Sequence, residues 1–67
     1  MDISTKFGKR VKQVRTTKKL SQGDLAKKLR VDPSYVSKIE RGIQNPSLKG
    51  IAKIATALGV PIKKLIF

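Results

Sequence analysis

Two helix-start signals stand so close together that the chain between residues 21 and 41 has few ways to fold. In Leu20-Ser21-Gln22-Gly23-Asp24-Leu25, the Ser21 hydroxyl is placed to accept from the Asp24 amide while the Asp24 carboxylate reaches back. Leu20 and Leu25 stand at hydrophobic-staple spacing around that box. Shortly afterwards Asp32-Pro33 supplies an N-cap and the proline favoured at the first helical position, with Val31 and Val36 again at staple spacing. Two helices, over about residues 22–30 and 33–41, must therefore be joined by a very tight turn. Leu25, Ala26 and Leu29 face inward from the first, and Val36 and Ile39 from the second. Gly42 then offers the left-handed residue that commonly closes a helix.

The rest of the chain repeats this grammar. Ile3, Phe7, Val11 and Val14 recur at helical spacing and predict a helix over about residues 5–18, with lysines and arginines on its other faces. After a loop from Ile43 to Pro46, Ser47 caps a helix whose stripe is Leu48, Ile51, Ala52, Ile54, Ala55 and Leu58, ended by Gly59. A last short helix over 61–66 offers Ile62, Leu65 and Ile66. The β-branched residues fall at helical spacing, so no strand is expected. The fold class is all-α: one domain, residues 1–67, built as a compact bundle of five short helices.

Charge narrows the function. The 67 residues hold 16 Lys+Arg and 4 Asp+Glu, a net charge of +12, with no Cys and no His. Disulfides, zinc fingers and Cys or His nucleophiles are thereby excluded. The acids Asp2, Asp24, Asp32 and Glu40 are too scattered for a carboxylate cage. No metal, cofactor, small-molecule ligand or catalytic activity is expected. A positive excess of this size repels itself and points to a polyanionic partner, either nucleic acid or an acidic membrane surface. No apolar run is long enough to cross a bilayer, and the first residues lack the basic-then-apolar layout of a secretory signal. The expected compartment is the cytoplasm.

Two short helices joined by a tight turn make the unit in which the second helix enters the DNA major groove, and residues 22–41 have that form. The outward face of the second helix carries Ser34, Tyr35, Ser37, Lys38 and Arg41. The chain also carries, in order, Ser-Gln-Gly-Asp-Leu-Ala at 21–26, Tyr-Val-Ser-Lys-Ile-Glu-Arg-Gly at 35–42, Asn-Pro-Ser-Leu at 45–48 and Ala-Leu-Gly-Val at 57–60. These motifs resemble the Cro/C1 (XRE) type of helix-turn-helix regulator over nearly the whole chain. Within that family the resemblance is strongest to phage repressors and to the controller proteins of restriction-modification systems.

The resemblance implies a lambda repressor-like DNA-binding domain and a role for each matching residue. It places Ser34, Lys38, Tyr35 and Ser37 at base-contact positions, Lys being able to donate to guanine O6 and N7. It places Gln22 against a phosphate at the positive end of its helix. Arg41, Gln44 and Asn45 match the loop that grips the DNA backbone. Arg15 and Glu40 match a structural ion pair between the first and third helices. Two positions depart from the pattern: Pro33 stands where relatives often read a base, and Arg30 stands in the turn where they usually have Gly, a site that favours positive φ.

The implied protein is a sequence-specific transcriptional regulator of double-stranded DNA, bacterial or phage-encoded and associated with the nucleoid. One reading helix covers too few base pairs to find a single site, so a homodimer on an inverted repeat is expected. Ile62, Leu65, Ile66, Phe67 and part of helix four are the candidate contacts, and Ile66 and Phe67 could instead cap the core. Tyr35 could likewise be a packing residue. The rival readings are an antitoxin or protein-interaction module of the same fold, and a cationic peptide acting on membranes through the basic, amphipathic first helix.

Overall fold

The computed structural model describes residues 2–66, which form α1 (Ile3–Thr17), α2 (Gln22–Leu29), α3 (Pro33–Glu40), α4 (Leu48–Leu58) and α5 (Lys63–Ile66). The first four helices start on caps readable from the sequence or close to it. Asp2 accepts from the Thr5 amide, Ser21 and Asp24 close a reciprocal capping box, Asp32 accepts from the Ser34 amide, and Ser47 accepts from the Gly50 amide. The Asp2 cap starts α1 earlier than its apolar period predicts. Hydrogen bonds from the Thr5, Ser21 and Ser34 amides hold the carboxyls of Asp2, Asp24 and Asp32 below the usual carboxylate range.

The same four helices end alike. Leu20, Val31, Ile43 and Val60 each donate to the carbonyl five residues back, and Lys19, Arg30, Gly42 and Gly59 each donate three residues back, which is the Schellman closure. The residue at the bend is left-handed in every case, with φ of 60° at Lys19 and Arg30, 77° at Gly42 and 71° at Gly59. Gly42 and Gly59 adopt this conformation without a side-chain penalty. Arg30 does not, and a non-Gly residue there costs about 1–2 kcal/mol, partly offset by the roughly 0.5–1 kcal/mol of chain entropy that glycine loses on folding. Arg30→Gly is therefore expected to stabilise the domain by about 0.5–1 kcal/mol, read as a higher melting temperature. An unchanged or lower melting temperature would show that the turn carries no strain.

Phe7, Val11, Leu25, Ala26, Val36, Ile39, Ile54, Ala55, Leu58 and Leu65 form the buried core, with Val14, Leu20, Leu29 and Ile51 packed against it. Helices α2 and α3 pack on each other and span opposite neighbours, α3 against α1 and α2 against α4, so the tight turn joins the two halves of the bundle. Two ends of the predicted stripes run past this core: Ile3 is 85% and Leu48 83% exposed, each being the first residue of its helix. Leu65 runs the other way. It is 1% exposed and belongs to the core of a single chain, so it is not available as a dimer contact. Helix α5 is also shorter than expected, because Pro61 and Ile62 form the turn that leads into it through Lys64 N–H to Pro61 and Leu65 N–H to Ile62. No described helix is long and apolar enough to cross a membrane.

Candidate nucleic-acid interface

Helix α3 is anchored by Val36 and Ile39 in the core, and that anchoring decides which side chains face outward. Ser34, Lys38 and Arg41 are exposed, Ser37 is half-buried beside them, and their spacing of three and four puts them on one face. Only the neutral Ser34 stands in the first turn of that face, since Pro33 has no donor and Asp32 is turned back as the cap. The Asp32 carboxyl is held low first by the Ser34 amide, with the positive charge of Lys38 adding to the effect. Tyr35 lies on the flank of the face. It is half-buried against the core, and a Cβ on Gly50 would stand 3.5 Å from its hydroxyl, so the ring joins α3 to the start of α4.

Beneath this face lies a buried clamp. Arg15 of α1 donates from Nε to Glu40 Oε2 at 2.6 Å and from Nη2 to Oε1 at 3.0 Å, and its Nη1 reaches the Leu20 carbonyl at 2.7 Å. Gln22 donates from Nε2 to the same Glu40 Oε1 at 3.0 Å. One carboxylate thus ties α1, α2 and α3 together, and the bidentate geometry fixes their relative orientation. Gln22, the first residue of α2, is consequently held at a helix N-terminus, where backbone amides suit an anion. On the far side of α3, the exposed Asn45 and half-buried Gln44 sit in the loop before α4. The Ser4 hydroxyl donates to Asn45 Oδ1 and ties that loop to α1.

Residues 11–65 match a family described as helix-turn-helix. The chain belongs to this XRE-type helix-turn-helix family. Among family members of similar sequence, the control protein C.BamHI of Bacillus amyloliquefaciens is 44% identical over 66 residues, which is 97% of this chain and 82% of that protein. The crystal structure of the restriction-modification controller protein C.AhdI from Aeromonas hydrophila superposes with a TM-score of 0.87 at 48% identity, covering 91% of this chain and 92% of that one. SinR, described as a master regulator for biofilm formation and solved in complex with DNA, gives a TM-score of 0.83 at 40% identity over 91% of this chain and 98% of that chain.

Within this helix-turn-helix frame, the structure gathers Ser34, Ser37, Lys38 and Arg41 on one surface and sets Gln22 and the Gln44–Asn45 loop at the two ends of the α2–α3 unit. The Gln22–Glu40 and Ser4–Asn45 bonds have no signature in the sequence. Both are long-range, and no local spacing signals them. All four side-chain carboxylates have structural duties, three in exposed helix caps and one in the buried clamp. Of the expected dimer contacts, Ile62 and Ile66 are 41% and 44% exposed, and Phe67 lies outside the described residues. Ile66 and Ile51 of α4 line an apolar groove that also takes in the exposed Ile3.

Proposed function

We propose that this helix-turn-helix protein is a sequence-specific transcriptional regulator of double-stranded DNA, a repressor or controller that places α3 in the major groove. The observation that carries the reading is the exposed Ser34-Lys38-Arg41 face, with half-buried Ser37 beside it, held by the buried Arg15–Glu40 pair and its bond from Gln22. Lys38 and Ser34 are assigned to base edges, with Ser37 and Tyr35 beside them. Gln22, Arg41, Gln44 and Asn45 are assigned to phosphates, which set register and orientation. Because Pro33 cannot read a base, specificity leans on few direct contacts and on the shape of the DNA. Two copies related by a two-fold axis, meeting through Ile62, Ile66, Phe67 and part of α4, would read half-sites about one helical turn apart. Such a regulator works in the cytoplasm on the nucleoid and uses no catalytic group.

The operator can be selected from a random duplex pool, and binding then compared on that operator and on a scrambled duplex. Lys38→Ala should weaken operator binding by about 1–3 kcal/mol while changing scrambled binding far less, with two chains bound per inverted repeat. Equal losses on both duplexes would remove Lys38 as a reader. Failure of the wild-type protein to prefer any sequence would overturn the regulator itself and leave the protein-interaction reading in its place.

A further inference from the structure

A second basic surface lies away from the outward face of α3. Lys28 and Arg30, at the end of α2 and in the turn, stand across a shallow groove from Lys49 and Lys53 of α4. All four are exposed. Leu29, Ala52, Thr56 and Ala57 complete the lining of the groove. Leu29, Lys49 and Lys53 also line an adjoining cleft bounded by Val31 and Tyr35. The two clefts thus share Leu29, Lys49 and Lys53 between the start of the reading helix and α4.

Among the described residues no carboxylate lines either stretch. The Asp24 carboxyl, held low first by the Ser21 amide in the capping box, also feels the charge of Lys28. Lys49 and Lys53 stand four apart on α4, where like charges repel and weaken a helix. A strip of four cations with so little intramolecular relief is suited to an extended anion. From this we propose that the α2–α4 groove is a second phosphate-contact surface, which takes the backbone of the same duplex beyond the stretch covered by α3. The proposal rests on the DNA-binding reading and adds a role for Lys28, Arg30 and Lys53, to which the resemblance assigns none. Contacts of this kind carry no sequence information and deepen the salt dependence of binding.

The test uses two duplexes, the selected operator trimmed to its inverted repeat and the same operator extended by about one helical turn, about 10 base pairs, at each end. Wild-type protein should bind the extended duplex more tightly and with a steeper dependence of log Kd on log salt. Lys28→Gln/Lys53→Gln should lose about two from that slope per bound chain, about four for the dimer, on the extended duplex and behave like wild type on the trimmed one. Lys9→Gln/Lys12→Gln, a charge-matched change on exposed residues of α1, should act equally on both duplexes. Equal wild-type binding to the two duplexes, or equal loss by the groove variant on both, would overturn the groove assignment and leave the regulator intact. Absence of preference for the operator over scrambled DNA would instead remove the regulator reading and the groove with it.

Discussion

Glu40→Ala should leave the chain largely unfolded at 25 °C. The buried carboxylate accepts three hydrogen bonds, two from Arg15 and one from Gln22. Removing it strands a guanidinium whose side chain is only 9% exposed and whose remaining partner is the Leu20 carbonyl. Breaking a buried ion pair from one side costs about 3–5 kcal/mol. A single core in a chain of this length rarely supplies more than about 3–5 kcal/mol in total. The two quantities are of the same size, so the loss of one side chain is enough. Arg15→Met combined with Glu40→Leu should fold, because an apolar pair of similar volume commonly replaces a buried ion pair at little or no cost.

The comparison also separates stability from function. In the double variant Gln22 keeps its place at the start of α2 but loses the acceptor that fixes its amide, so DNA affinity should fall although the melt stays cooperative. Circular dichroism melts and operator binding on the same two preparations supply both readouts. A well-folded Glu40→Ala protein would show that the clamp contributes little to the fold. Full operator affinity in the folded double variant would show that the clamp does not position Gln22.

What the sequence revealed and what it hid divide along range of interaction. Ser21 with Asp24, Asp32 before Pro33, and Ser47 act within one helical turn, so spacing alone located three helix starts and the tight turn between α2 and α3. Gly42 and Gly59 marked two helix ends for the same reason, whereas the left-handed Lys19 carried no such mark. The face of α3 was legible because Val36 and Ile39 fix it by period. Leu65 was misplaced because a helix of one turn has too few apolar positions to define its inner side, and only packing on α1 decides that Leu65 and not Ile66 is covered. Ile3 and Leu48 were misplaced because periodicity does not say where a neighbouring helix stops.

Gly8 was hidden most completely, and it carries the other large expectation. It lies buried on α1, where a Cβ would stand 2.3 Å from the Ile39 carbonyl oxygen and 2.8 Å from that of Glu40. Both obstacles are backbone at the end of the reading helix, so neither can swing aside as a long side chain would. Gly8→Ala must therefore push α1 away from α3, and overpacking of this kind costs about 1–3 kcal/mol. Better helix propensity returns about 1 kcal/mol, and the clash exceeds that gain because α3 cannot retreat without stretching the Arg15–Glu40 clamp behind it. With a domain this small, each kcal/mol moves the melting temperature by about 4–8 °C. Gly23→Ala is the matching control: its nearest neighbour is the Ser21 hydroxyl at 3.7 Å, so the same methyl enters open space and should stabilise the helix slightly. Opposite shifts in the two melting temperatures are the expected result, with operator affinity falling only for Gly8→Ala, since only there is α3 displaced. Equal shifts would mean that α1 and α3 separate freely and that the reading helix is not held by this contact.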